Sequence, residues 1–327
     1  MADALSALLH ALIPAEVWRA ERRIARGKVS ESSLRVLLTF HQDTVGPIAR
    51  AFAFALPSEA ALRAIAAYAP RGVVEVGAGS GLWAALLRHR GVVCHAYDAD
   101  EPAAVFGGVR RGQSSAAALH PECGALLLCW PPLEAGVDGP NLMALRALRA
   151  FEASLDRGRA ADPPTDPPAD GVLLYVGEWP GTCGSLSALS ESTAACGHTA
   201  GTQFVRAVLE GWRHARTVPL AHWPGFNDKL HVFIRRAPSC TLAPHGAEAL
   251  GSDEAAEATR EGDADGVDAP TAPHEIVRRV LGSLDAERVP AQPLLVAAVA
   301  VASQATVQYL TSVDLSVTVS TRVVVPA

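Results

Sequence analysis

Lysine is nearly missing from this chain: of its 28 basic residues only Lys28 and Lys229 are lysines. That skew toward arginine carries no functional reading, but a surplus of basic charge is missing too, since 34 acidic residues leave a formal charge of -6. Nucleic-acid backbones are held by concentrated basic surface, so the balance argues against a nucleic-acid partner. The densest basic run, Arg19 to Arg23, includes Glu21 in a helical stretch and reads as a solvated face. Cysteine pairs at metal-ligand spacing are also absent. Cys94, Cys123, Cys129, Cys183, Cys196 and Cys240 form no CxxC and have no histidine at zinc-ligand spacing, so no metal is expected. Cys94 and Cys129 fall in apolar runs and read as small core residues, whereas Cys183 and Cys196 fall in loop-like sequence. No apolar run is long enough to span a bilayer, residues 293–302 being too short, and no basic leader with an apolar run and cleavage site is visible. Cytoplasm, without membrane association, is the expectation that follows.

What is present suffices for a substantial core. The 327 residues are 49% apolar, enough for one large domain or two small ones. Much of that share is alanine, so Leu, Val, Ile and Trp must carry the burial. Helical spacing of Leu5, Leu8, Leu9, Leu12, Val17 and Ile24, continued over 30–54, predicts N-terminal cap helices within a segment 1–56. Ser58 is a candidate N-cap for a helix that Pro70 and Gly72 end. Strands and helices then alternate, the pattern of a parallel sheet covered on both faces. Strands are predicted at 72–76, 92–97, 105–109, 124–130 and 171–176, with helices at 82–90 and 142–155. Two further strands, 213–222 and 229–236, flank a turn-rich hairpin link. This α/β unit occupies 57–237 and is interrupted by a Pro-rich loop at 156–170. Residues 238–273 have too few large apolar side chains to offset ordering entropy and are expected to be a disordered linker. The low-complexity tail at 274–327 carries no motif.

The chemistry concentrates at Val73 to Trp83, a strand entering a glycine-rich turn and then a helix. Gly77, Gly79 and Gly81 permit a tight turn and close ligand approach, and the helix points free N–H groups and its positive dipole end at whatever binds there. A nicotinamide-dinucleotide fingerprint, GxGxxG, would need a small residue where Leu82 stands, which disfavours an oxidoreductase. The pattern is instead ExGxGxG, with Glu75 two residues before Gly77. In this it resembles the class I S-adenosylmethionine-dependent methyltransferases. The resemblance covers about 51–236 and also takes in LeuLeuLeuCysTrpProPro, TyrValGlyGlu and TrpProGlyPheAsnAsp, as in a group of uncharacterised methyltransferase-like proteins.

The resemblance implies a doubly wound, Rossmann-like, seven-stranded sheet with an antiparallel last strand in three α/β/α layers. It implies S-adenosyl-L-methionine as cofactor. Gly77, Ala78, Gly79 and Gly81 would line the methionine and ribose, Glu75 would act through water or backbone near the methionine amino group, and Asp98, ending the second strand, would accept both ribose hydroxyls. A carboxylate suits that task because it only accepts and can take two donors side by side. Asp100 is the alternative if the strand ends later. Trp130, Pro131 and Pro132 end the fourth strand, where this fold places its reacting centre. Amino-methylating relatives have Asn, Asp or Ser before ProPro and an aromatic after it. Trp130 and Leu133 depart from both positions, which counts against that amine chemistry. Trp130 with the two prolines then reads either as an apolar wall holding substrate against the sulfonium or as a packed strand end. Glu178, after the fifth strand, is a candidate base or substrate contact; Trp223, Asn227 and Asp228 are weaker candidates. The expected partner is a small-molecule or protein methyl acceptor. The alternative is a binding or scaffold protein that keeps the fold without turnover.

Overall fold

Alternate residues of the central strands feed two separate apolar layers. The computed structural model describes residues 13–100, 106–132, 142–161, 171–189 and 201–236, with positions 2, 3, 7 and 10. It contains one seven-stranded sheet: β1 Val73–Val76, β2 Cys94–Asp98, β3 Val109–Arg111, β4 Ala125–Cys129, β5 Val172–Gly177, β6 Trp212–Pro219 and β7 Lys229–Arg235. The strand order is β3-β2-β1-β4-β5-β7-β6. Strands β1 to β5 are mutually parallel, and β7 is antiparallel to both neighbours. This is the doubly wound sheet with an antiparallel last strand that the sequence led us to expect.

Helices cover both faces. They are α1 Ala15–Ala25, α2 Glu31–Phe40, α3 Gly46–Ala51, α4 Glu59–Tyr68, α5 Leu82–His89, α6 Met143–Ala161 and α7 Thr202–Gly211. Because side chains alternate along a strand, Ala125, Leu127, Val172 and Leu174 pack on the side of α1, α2, α4 and α5. Leu126, Leu128, Leu173 and Tyr175 pack against α6 and α7. Each leucine buried this way is worth about 1.5–3 kcal/mol relative to exposure.

Serine caps start two of the helices. Ser30 Oγ accepts from Ser33 N at 3.3 Å, and Ser58 Oγ accepts from Ala61 N at 3.1 Å, as its position before α4 predicted. Between α2 and α3 the helix widens into a π turn at His41–Val45, and His41 Nε2 lies 2.6 Å from Pro224 O in the β6–β7 link. The N-terminal helices are thereby fastened to the carboxyl edge of the sheet.

Several boundaries differ from expectation. Strand β3 begins at Val109 because Gly107 and Gly108 hold positive φ of 72° and 68°, outside the extended region. Strand β2 begins at Cys94 because Val92 N still donates to Leu87 O, closing the end of α5. Helix α6 runs on to Ala161, past the predicted onset of the Pro-rich loop, and α7 was not foreseen. Residues 162–170, the linker 238–273 and the tail 274–327 lie outside the described residues, as do Cys196 and Cys240.

Candidate functional site

Strand order reverses between β1 and β4, whose connections leave to opposite sides, so a crevice opens at their carboxyl ends. The chain leaves β1 through Gly77, Gly79 and Gly81 with φ of 77°, 51° and 82°. L-residues pay for the left-handed region, and at two of these positions an added Cβ would also crowd a neighbouring side chain. A Cβ on Gly77 would lie 2.5 Å from Met143 Cε, and one on Gly81 would lie 2.7 Å from Val109 Cγ2. Gly77 N and Ala78 N both donate to Tyr97 O, at 2.8 and 3.0 Å.

The carboxylate predicted from the end of β2 faces this turn. Asp98 Oδ2 accepts from Gly79 N at 2.8 Å, and Oδ1 accepts from Asp100 N at 3.1 Å. Each oxygen holds one N–H and keeps acceptor capacity for a further donor. Glu75, by contrast, is 1% exposed, and its Oε2 is buried without a partner. Burial, with a smaller push from Asp98, raises its carboxyl to about 8.

Ser80 links the turn to the N-terminal helices. Its hydroxyl donates to Phe52 O and accepts from Leu82 N at 3.3 Å, while Trp83 Nε1 donates to Ala55 O at 3.0 Å. These bonds lay Phe52, Ala53 and Phe54 beside the glycine turn. They help wall a cavity of about 890 Å³ that is also lined by Glu75, Gly77, Ala78, Gly79, Asp98 and Asp100. Gly81 does not line it; its place is the N-cap of α5.

Trp130, Pro131 and Pro132 line the same cavity from the end of β4. Trp130 has φ 47°, and among the described residues no other non-glycine has positive φ. A bulky residue stays in that region only where its surroundings over-determine it. Here the backbone N donates to Val176 O at 2.9 Å, and the indole Nε1 donates to Asp228 Oδ1 at 2.7 Å. Phe54 stacks on the indole at 5.8 Å and 20°, and Phe226 meets it edge-on at 5.0 Å. Asp228 is buried, and burial raises its carboxyl to about 8.

Glu178 does not line this cavity. It is 1% exposed; Oε1 accepts from Gly184 N at 2.7 Å and Asn227 N at 2.8 Å, and Oε2 accepts from the Ser187 hydroxyl. Bonded to two backbone N–H groups and the Ser187 hydroxyl, it fastens the segment after β5 to the β6–β7 link. Asn227 joins that link through Nδ2, which donates to Thr182 O at 2.8 Å.

Sequence reasoning missed Arg50, Phe54, Met143 and Arg146, all of which line the cavity. They come from α3, the segment after it, and α6, whose approach to the glycine turn has no local sequence signal. It also missed a cluster at the β2–β3 edge, where ligand atoms of His95, His120 and Glu122 lie within 4.8 Å of one another. The two imidazoles are stacked at 3.6 Å and 2°. Their nitrogens are engaged by Arg110, by Tyr97 Oη at 2.8 Å and by Glu122. Among the described residues no helix is long and apolar enough to cross a membrane.

No protein-family model and no curated protein matches the sequence. Solved structures similar to it include three methyltransferases holding S-adenosylhomocysteine. The Burkholderia thailandensis 1,6-didemethyltoxoflavin-N1-methyltransferase is 15% identical over 55% of this chain and 78% of its own, with a TM-score of 0.31. The magnesium protoporphyrin IX methyltransferase of Synechocystis PCC 6803 is 17% identical over 67% and 94%, TM-score 0.31. The N-methyltransferase NodS of Bradyrhizobium japonicum WM9 is 10% identical over 54% and 85%, TM-score 0.30. Likeness at this level adds nothing to the strand order and register, which establish the Rossmann-like fold on their own.

Proposed function

We propose that the cavity at the β1–β4 switch point binds S-adenosyl-L-methionine and that the chain is a methyltransferase. The observation that carries this reading is the bond from Gly79 N to Asp98 Oδ2, which sets an acceptor-only carboxylate against the glycine turn at the wall of one cavity. The residues fit the cofactor. A volume of about 890 Å³ is in the range of small-molecule sites, and the unpartnered Glu75 Oε2 is a buried acceptor at the cavity wall.

In this reading Asp98 accepts the ribose hydroxyls while its bond to Gly79 N holds the turn in place. Gly77 to Gly79 admit the ligand against bare backbone, and Glu75 lies toward the ammonium. The bound cofactor supplies a methyl group on a sulfonium, ready for direct displacement. The protein's share of the work is alignment and exclusion of water, which needs no acid–base pair. Trp130, Pro131 and Pro132 form the wall against which an acceptor, small molecule or protein, is held. Calorimetry of the intact chain with S-adenosylhomocysteine tests the reading. Binding that weakens in Asp98→Ala is expected; no heat, alongside a working control methyltransferase, overturns it.

A second reading keeps the fold without turnover. It is favoured by Trp130, whose single polar atom is spent on Asp228 and cannot hold an acceptor. Transfer of labelled methyl from the cofactor to any component of a cell extract, lost in Asp98→Ala, decides for the enzyme.

A further inference from the structure

The cavity lining combines two features that glycine-turn chemistry does not require. One is a flat aromatic wall: Phe54 is 48% exposed and lies nearly parallel to the Trp130 indole. An exposed phenylalanine is commonplace singly. This one lines a cavity, and its stacked partner is locked by Asp228 and backed by Phe226. The other feature is a pair of cations, Arg50 from α3 and Arg146 from α6, which also line the cavity. Neither has a carboxylate partner among the described residues.

Resting on the S-adenosylmethionine reading, we infer that the methyl acceptor is a small planar aromatic acid. Its ring lies against the Phe54–Trp130 face and its carboxylate is held by the Arg50 and Arg146 guanidiniums. Charge balance leads to the same class. The cofactor carries two positive groups, sulfonium and ammonium, and one carboxylate. The cofactor is thus net positive, and together with the two guanidiniums it favours a second anion in the cavity. The acidic residues Asp98 and Asp100 belong to the end of β2, which lies across β1 from β4, about two strand spacings or roughly 10 Å away. Asp98 there is already tied to Gly79 and Asp100.

A cationic acceptor would share the cavity with two guanidiniums and a sulfonium, and like charges disfavour it. A neutral amine would find no side-chain acceptor on Trp130, because the indole N–H is turned to Asp228. A carboxylate is matched by the guanidinium fork, and a ring prefers an aromatic face to bare aliphatic contact.

The test is a calorimetric titration of the intact chain saturated with S-adenosylhomocysteine, using 2-naphthoate, 2-naphthamide, 2-naphthylmethylamine and decalin-2-carboxylate. 2-Naphthoate is expected to bind about tenfold or more tighter than the other three. The double variant Arg50→Gln, Arg146→Gln should lose its preference over the amide, and Phe54→Ala its preference over the saturated acid. Thermal melting of each variant establishes that it is folded. The inference is overturned if the amide or amine binds as well as the acid, or if folded variants keep the full preference. Titration of the same sample with S-adenosylhomocysteine beforehand separates the two claims: failure there removes the cofactor reading and this inference together. Normal binding there with an indifferent panel removes this inference alone.

Discussion

Trp130 and Asp228 stand 98 positions apart in the chain and are joined by a 2.7 Å bond from indole nitrogen to carboxylate oxygen. The bond ties the end of β4, where the backbone is left-handed, to the link entering β7. Asp228 Oδ2 is buried and has no partner, so the residue spends its one observed side-chain bond on orienting the indole that walls the cavity.

Removing that acceptor is expected to cost stability. Asp228→Ala leaves the indole N–H unpaired and frees a strained residue, at about 1–3 kcal/mol. Asp228→Asn retains a carbonyl acceptor and is expected to lose less. Urea denaturation checks both, and equal losses would show that the hydrogen bond is not what matters at Asp228.

Stability should fall as pH rises through the neutral range. Asp228 and Glu75 both titrate near 8 when folded, against ordinary carboxyl values of 3.8 and 4.5. Between these limits the native state therefore holds more protons than the unfolded chain, and each group's contribution declines as pH rises from about 4 to about 8. The free protein is expected to melt lower at pH 8.5 than at pH 6. Glu75→Gln combined with Asp228→Asn should flatten the dependence, and an unchanged slope in that variant would place its origin elsewhere.

The glycines of the turn should differ in their tolerance. All three incur left-handed strain of about 1–2 kcal/mol on substitution by alanine. Gly81→Ala adds a clash with Val109, whereas a Cβ on Gly79 meets nothing within 4 Å. Gly81→Ala is thus expected to be the less stable of the two in thermal melting. The reverse order would indicate that β3 yields to the added methyl.

Asp98→Ala removes the acceptor of the Gly79 N bond and, in the proposed complex, that of the two ribose hydroxyls. Charged hydrogen bonds contribute about 1.5–3 kcal/mol each, so loss of two should lower S-adenosylhomocysteine affinity by about a hundredfold or more, read by calorimetry. Asp100→Ala should have little effect, since its backbone N–H, not its side chain, meets Asp98.

The His95–His120–Glu122 group should not take up zinc at neutral pH. Tetrahedral coordination needs lone pairs that converge, and two imidazoles stacked at 2° direct theirs side by side. Arg110 already lies 3.0 Å from His120 Nε2 and 3.3 Å from His95 Nδ1. Added Zn²⁺ is expected to leave the melting temperature unchanged, and a stoichiometric rise would reveal a rearranged site.

The strand-to-helix alternation and the glycine turn were legible in the residues alone because each is local, while Glu75 and Asp98 stood out through the family resemblance. An apolar run of strand length and three glycines at fixed spacing state their backbone needs within a few positions. The Ser58 cap was readable for the same reason. The sequence could not place Phe54, Arg50 or Arg146 around the cavity, bring Asp228 to the Trp130 indole that walls it, or show that Glu178 bonds elsewhere. Those outcomes depend on how α3, α6 and the β6–β7 link pack over the sheet edge, through contacts such as Ser80 to Phe52 and Trp130 to Asp228 that span tens of residues. A carboxylate's role is set by which donors surround it once the chain is folded, and residue type and spacing carry no record of them.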